Sequence, residues 1–140
     1  MEDDEFRRAL AVLDSYNVQL DALTRQVEVL QLSLQETSRA RESLKAIGAA
    51  KEGDEILVPV GTGSFVPVRV SGKKTAIVGI GNRISVEKDM DEAAEFIASR
   101  GNEISEALKK SVSALSEMEV AAERLTSAVQ QEYRNRQIVE

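Results

Sequence analysis

Side chains that usually carry out chemistry are scarce in this chain of 140 residues. It contains no His, no Cys and no Trp, so it has neither an imidazole base nor a thiolate nucleophile. Nucleophilic pairs of the Ser-His or Cys-His type are therefore excluded. A zinc site would have to use carboxylates alone, which is an unusual choice for that ion. The remaining candidates are two glycine-rich segments and several carboxylate pairs.

The glycine-rich segments 61–64 (Gly-Thr-Gly-Ser) and 79–82 (Gly-Ile-Gly-Asn) invite comparison with loops that bind phosphate. A dinucleotide-binding loop follows a strand and opens a helix, whose N-terminus receives the phosphate. Here both segments lead into β-branched runs instead. We therefore interpret them as the turns of β-hairpins.

The carboxylate pairs lie at helical spacing beside basic residues, as expected of a solvated, charged helix face. The pairs are Asp91 with Glu95, Glu103 with Glu106, and Glu119 with Glu123. The sequence thus predicts a protein that is not an enzyme and that needs no cofactor and no metal ion.

The formal net charge of −6 argues against several partners. No segment is basic enough to attract a nucleic acid backbone, so we expect no nucleic acid partner. The acidic N-terminus lacks the apolar stretch of a signal peptide, and no segment resembles a membrane span. We expect a cytoplasmic protein with no membrane association.

Two long helices are predicted to position everything else, because apolar residues repeat every seven positions at both ends of the chain. This repeat is typical of a coiled-coil seam. The first helix is predicted over residues 1–48, ending at Gly48, and the second over 89–140. The first seam comprises Phe6, Ala9, Leu13, Tyr16, Leu20, Leu23, Val27, Leu30, Leu34, Thr37, Arg41 and Leu44. The second comprises Met90, Ala94, Ile97, Gly101, Ile104, Leu108, Ser111, Leu115, Met118, Ala122, Leu125 and Val129.

Gly101 is the weak point of the second seam, because a glycine inside a helix costs about 1 kcal/mol relative to alanine. It could mark a bend, a close contact between helices, or a tolerated imperfection. The sequence leaves these alternatives open.

Between the helices, a linker over 49–54 precedes four short β-branched runs over 55–88, which predict two β-hairpins. Pro59 and Pro67 each lack a donor and should therefore lie at an edge or a bulge. A sheet of this size cannot bury its own apolar side chains, so we predict that it assembles with other chains. The predicted assembly residues are Val58, Val60, Phe65, Val66, Val68, Ile77, Val78, Ile80, Ile84 and Val86.

The two chain ends carry more apolar residues than the seam requires, while the polar Glu132 and Arg136 occupy seam positions. A frayed coil end could offer these apolar groups to a partner, although ordinary fraying explains the pattern equally well.

The pattern as a whole resembles the alpha-type subunits of the prefoldin family, in the archaeal form. The local matches are LVPVG at 57–61, GSFV at 63–66, VGIG at 78–81, VEKD at 86–89 and MDEA at 90–93. The resemblance implies an α+β fold, in which a long antiparallel α-helical coiled-coil hairpin carries two small β-hairpins that join an oligomeric β-barrel.

It also implies function. The expected complex is a heterohexamer of two alpha and four beta-type subunits, a chaperone that holds non-native proteins without ATP and passes them to a group II chaperonin. Carried onto this chain, the candidate client contacts at the coil tips are Phe6, Leu10, Leu13, Val129, Tyr133, Ile138 and Val139. The alternative is a passive coiled-coil scaffold or tether that binds specific folded partners.

Overall fold

The computed structural model describes the backbone of residues 1–139 and the side chains of residues 1–137. Helix α1 spans Asp3–Ala49 and helix α2 spans Met90–Val139. Between them lie β1 (Glu55–Gly61), β2 (Ser64–Arg69), β3 (Thr75–Gly81) and β4 (Ile84–Asp89). Two long helices with two antiparallel strand pairs between them confirm the predicted arrangement of elements. None of the described helices is both long and apolar enough to cross a membrane.

Contacts divide the chain into two units, to which both helices contribute. The terminal unit comprises Met1–Ser33 and Ile104–Glu140, and the hairpin unit comprises Leu34–Glu103.

In the terminal unit, the heptad repeat of apolar residues produces a seam of covered side chains on both helices. Val27, Ala122 and Val129 are buried, and most other seam residues of this unit are half-buried. The helices run antiparallel, since Arg136 near the end of α2 contacts Asp3 at the start of α1. Burial of this seam supplies most of the stability of such a helix pair, because isolated helices are marginal in water.

In the hairpin unit, the seam of α1 departs from the predicted positions. Arg41 is exposed, and the preceding Ala40 is half-buried in its place. An arginine loses little by leaving the seam, since its charge stays hydrated while the small alanine takes up the contact.

Gly48 lies inside the last turn of α1 rather than beyond its end. A side chain there would place its Cβ 3.1 Å from Cγ of Met90, the first residue of α2. The glycine therefore permits close contact between the two helices, and α1 ends one residue later than predicted.

Gly101 has the same role further along α2. A Cβ at Gly101 would lie 3.3 Å from Oγ1 of Thr37 on α1, and α2 continues without a break through this position. Of the three alternatives, close contact between helices is the one that the structure supports.

The end of α1 receives its stabilising cation from a distant residue. Its last turn contains no basic side chain, but Nζ of Lys74, just before β3, donates to the carbonyl oxygens of Ile47 (3.3 Å) and Ala50. A cation at this position satisfies helix carbonyls and opposes the helix dipole. Lys74 thereby ties the second hairpin to the first helix.

The two hairpins repeat one design. β1 pairs with β2 and β3 with β4, each with a register irregularity just before the turn. The turn residues have positive φ, namely 46° at Thr62 and 73° at Gly63 in the first hairpin, and 50° at Asn82 and 63° at Arg83 in the second. Two consecutive residues of this conformation form the tight turn whose twist matches paired strands. The glycine-rich segments are therefore hairpin turns, as predicted.

Both prolines avoid the internal ladder of the first hairpin. Val70 N donates to Asp54 O at 2.9 Å, and this bond fixes which residue pairs of the antiparallel ladder are hydrogen-bonded. Because bonded and non-bonded pairs alternate along the ladder, the Pro59–Phe65 and Leu57–Pro67 pairs are non-bonded. The nitrogen atoms of both prolines consequently point to the open edges, in agreement with the sequence-based expectation.

Candidate interaction surfaces

The first hairpin, β1 with β2, is apolar on both faces. On one face the register places Val58 opposite Val66, and on the other it places Leu57 opposite Pro67. Every residue of the two strands is exposed except Ile56, which is half-buried. Leu57 is 64% exposed and Phe65 58%. A two-stranded ribbon is marginally stable by itself, and uncovered apolar surface of this kind marks an interaction site.

The second hairpin, β3 with β4, is covered on one face only. Val78 is buried and its cross-strand partner Val86 is half-buried, while Ile77, on the opposite face, is 79% exposed. Lys88 lies on the same face as Val78, with its Nζ 5.6 Å from the ring centre of Phe96 on α2. This face therefore packs within the hairpin unit.

The predicted assembly residues thus divide into two groups. Val78 and Val86 face inward, because alternation along the strands places them with Lys88 against the hairpin unit. The others are exposed: Val58, Val60, Phe65, Val66, Val68, Ile77, Ile80 and Ile84. Their role in assembly stays a prediction.

Leu57 is an exposed apolar residue that the sequence interpretation missed. The signal that would have found it is the alternation of side chains between the two faces of a strand. Leu57 shares a face with Pro59 and Phe65, and Val58 lies on the opposite face. A strand whose neighbouring residues are all apolar is one that needs cover on both sides.

An exposed ion pair lies on the outward face of the second hairpin. Lys73 Nζ lies 2.7 Å from Glu87 Oε1, and Thr75 Oγ1 donates to the same oxygen at 2.8 Å. These hydrogen bonds, Lys73 first, lower the pKa of Glu87 below its ordinary value. The charges of Lys73 and Glu87 therefore neutralise each other next to the exposed Ile77.

At the chain ends, polar residues close the seam. Arg136 Nη1 donates to Asp3 Oδ1 at 2.7 Å, and Arg136 Nε donates to Glu132 Oε1 at 3.1 Å. The guanidinium carbon lies 4.6 Å from the ring centre of Phe6, and that ring meets Tyr133 edge to face at 5.1 Å. We call Asp3, Phe6, Glu132, Tyr133 and Arg136 the end cluster.

The end cluster perturbs the ionisation of its charged groups. The hydrogen bond from Arg136 holds the pKa of Asp3 below its ordinary value, and the same bond raises the pKa of Arg136. Both groups are therefore charged at neutral pH, as a bond between a guanidinium and a carboxylate requires.

This arrangement differs from the frayed end that the sequence suggested. Helix α1 begins at Asp3 and α2 continues to Val139, and Arg136 lies over the ring of Phe6. An arginine achieves this because its planar guanidinium bonds carboxylates at its edge and stacks on an aromatic ring with its face.

The candidate client contacts occupy different environments in the terminal unit. Tyr133 is 49% exposed and Val129 is buried in the seam, whereas Phe6, Leu10 and Leu13 are half-buried. The side chains of the last two candidates lie outside the described residues: Ile138 and Val139. Client binding by any of the seven stays a prediction.

The fold defines a class of protein: coiled-coil subunits with two long helices and two small hairpins, whose exposed apolar strands favour assembly with other chains. Comparison with known proteins identifies the family within that class. A family model described as "Prefoldin subunit" matches residues 16–135, and the chain belongs to the prefoldin family of chaperone subunits. This is a family of chaperones rather than of catalysts.

Similar proteins from archaea support the assignment. A prefoldin subunit alpha of Pyrococcus horikoshii is 39% identical over 102 residues, covering 72% of this chain and 69% of the relative. One from Methanothrix thermoacetophila is 31% identical over 108 residues, covering 77% and 71%. The sequence-based resemblance to archaeal alpha subunits is thereby confirmed.

Solved structures agree on the fold. Filamentous PFD from Methanocaldococcus jannaschii has a TM-score of 0.67 at 23% identity, covering 87% of this chain and 98% of that one. The prefoldin beta subunit from Thermococcus strain KS-1 has a TM-score of 0.60 at 19% identity, covering 91% of each chain.

Proposed function

We propose that this chain assembles with beta-type subunits into a heterohexamer of two alpha and four beta chains, in which the β-hairpins join in a barrel. The observation that carries this proposal is the first hairpin, apolar and exposed on both faces. Strands of other chains would bury these faces at a gain of roughly 25 cal/mol per Å². The complex works in the cytoplasm.

Within that complex, the terminal unit captures non-native proteins without ATP, and the complex passes them to a group II chaperonin. Unfolded clients differ in sequence, so a general binder relies on non-directional apolar contacts such as the half-exposed ring of Tyr133. Several weak contacts on separate subunits gain strength through high effective concentration. Client release then follows from competition rather than from hydrolysis.

Suppression of client aggregation by the reconstituted complex tests this function. Deleting residues 1–12 and 130–140 should weaken suppression while the complex keeps its subunit stoichiometry. Tyr133→Gln should act in the same direction without shortening either helix, whereas Val29→Gln, a change at an exposed valine within the seam-forming stretch of α1, should have no effect. Full activity of both end variants would contradict client capture by the terminal unit.

A further inference from the structure

A shallow groove of about 510 Å³ runs along one flank of the two helices in the terminal unit. Val12 and Tyr16 of α1 and Leu125 of α2 provide its larger apolar side chains, and Val12 is 41% exposed. Three alanines complete the apolar surface: Ala9, Ala121 and Ala128. The groove is separate from the end cluster, with which it shares no residue.

The seam of a two-helix coil does not account for these residues. Val12, Ala121 and Ala128 each directly precede a seam residue, a position that is commonly charged when only two helices pair. An apolar residue there widens the stripe to the width found where a helix packs against more than one neighbour. The apolar surface of the terminal unit therefore extends beyond the two-helix seam on the groove side.

The corresponding positions on the other flank are more polar. Of the residues that directly follow seam positions in this region, Asn17, Glu119 and Thr126 are polar, whereas Leu10 and Tyr133 are large and apolar. Most of these positions are polar, whereas the groove side offers Val12, Ala121 and Ala128, so we place an additional helix on the groove side.

Charge at the rim indicates which helix would fit. Arg8 of α1 and Arg124 of α2 border the groove, whereas Glu5 is its one acidic lining residue. The rim is therefore basic although the whole chain has a net charge of −6. Acidic residues beside the apolar face of an incoming helix would complement the two arginines.

We propose that this groove binds the apolar face of an acidic amphipathic helix exposed by a non-native protein. The lining runs from Glu5 to Tyr16, which corresponds to about three turns, or roughly 16 Å, of bound helix. The proposal rests on the proposed chaperone function and specifies the class of client segment that the terminal unit recognises.

The first test uses a stapled fourteen-residue helical peptide with leucines on one face and glutamates on both flanks. Its affinity for the full-length chain, assembled with a beta-type subunit, is measured by fluorescence anisotropy. Val12→Gln with Ala121→Gln should weaken binding at least tenfold. Val18→Gln with Val120→Gln changes two exposed valines outside the groove and should leave affinity within twofold.

The second test reverses the rim charge. Arg8→Glu with Arg124→Glu should weaken binding of the glutamate-flanked peptide and favour a version with lysines on the flanks. Arg7→Glu with Arg134→Glu makes the same change in net charge at positions outside the groove lining and should preserve the original preference. Equal binding of both peptides by the wild-type complex would overturn the assignment to acidic helices.

Three further outcomes would overturn the groove proposal: binding no tighter than that of a sequence-scrambled peptide, binding unaffected by the groove variants, or groove-dependent dimerisation of the chain that excludes the peptide. The last would identify a second copy as the occupant. Suppression of aggregation by the wild-type complex is measured in parallel. Persisting suppression without peptide binding rejects the groove alone, whereas absence of suppression rejects the chaperone function itself.

Discussion

Arg136 connects charge and packing at the end of the terminal unit. Its guanidinium donates to Asp3 and Glu132 and lies over the ring of Phe6. An exposed ion pair alone contributes little to stability, but the stacking also covers an aromatic ring that would otherwise meet water. The polar residues that looked like a failure of the seam therefore complete it.

Replacement of Arg136 by Gln should raise the pKa of Asp3 towards its ordinary value of 3.8. In the wild-type protein the depressed pKa of Asp3 means that the stability contributed by the Asp3–Arg136 contact is fully present above the unfolded-state pKa and is lost as pH falls through the folded-state pKa. Titration of the Asp3 carboxyl carbon by NMR measures this shift. Arg134→Gln, which makes the same charge change two residues away, should leave the pKa low, and an unchanged pKa in Arg136→Gln would show that another group depresses it.

Gly101 and Thr37 should behave as a coupled pair in stability measurements. Alanine at position 101 gains about 1 kcal/mol of helix propensity, but its Cβ would lie 3.3 Å from Thr37 Oγ1, which offsets part of the gain. In a Thr37→Ala background that oxygen is absent, so Gly101→Ala should recover the whole gain. Urea unfolding of the four chains measures the coupling, and equal increments in both backgrounds would mean that the contact has no energetic weight.

At the scale of elements, the turn of the second hairpin carries a correctable strain. Arg83 has a φ of 63°, a conformation that costs a residue with a side chain about 1 kcal/mol or more. Arg83→Gly should therefore stabilise the full chain by about 1 kcal/mol.

Thermal unfolding of the full chain measures this gain. Arg83→Ala removes the same charge but keeps the Cβ, so it should leave stability close to that of the wild type. If glycine and alanine have the same effect, the strain at this turn is not significant.

The sequence predicts the elements well because their signals are local. The heptad spacing of apolar residues predicts both helices, and glycine pairs between β-branched runs predict both hairpins. What it misses depends on contacts between distant residues. Lys74 bonds the carbonyl oxygen of Ala50, 24 residues earlier, at the end of α1. Gly48 allows the approach of Met90, and the face of Leu57 depends on the strand register.

At the scale of the whole molecule, the candidate surfaces follow from what the chain leaves uncovered. The sequence correctly indicates that the strands carry more apolar side chains than their own unit can bury, and the structure separates the inward pair of Val78 and Val86 from the exposed residues. The end cluster could not be foreseen, because Asp3 and Arg136 are 133 positions apart in the sequence. Assembly is the claim on which the proposed function depends.

A pair of strand variants links assembly to the first hairpin. Leu57→Glu with Phe65→Glu places charge on one of its apolar faces, where burial against another chain would be costly. Val18→Glu with Val29→Glu makes the same charge change at exposed valines of α1. The strand variant should fail to assemble with beta-type subunits, and the helix variant should assemble normally.

The most direct measurement is the native mass of the complex formed when this chain is mixed with a beta-type prefoldin subunit at micromolar concentration. We predict a hexamer that contains two copies of this chain and four of its partner. A stable monomer of this chain that persists in the presence of the beta-type subunit would contradict it.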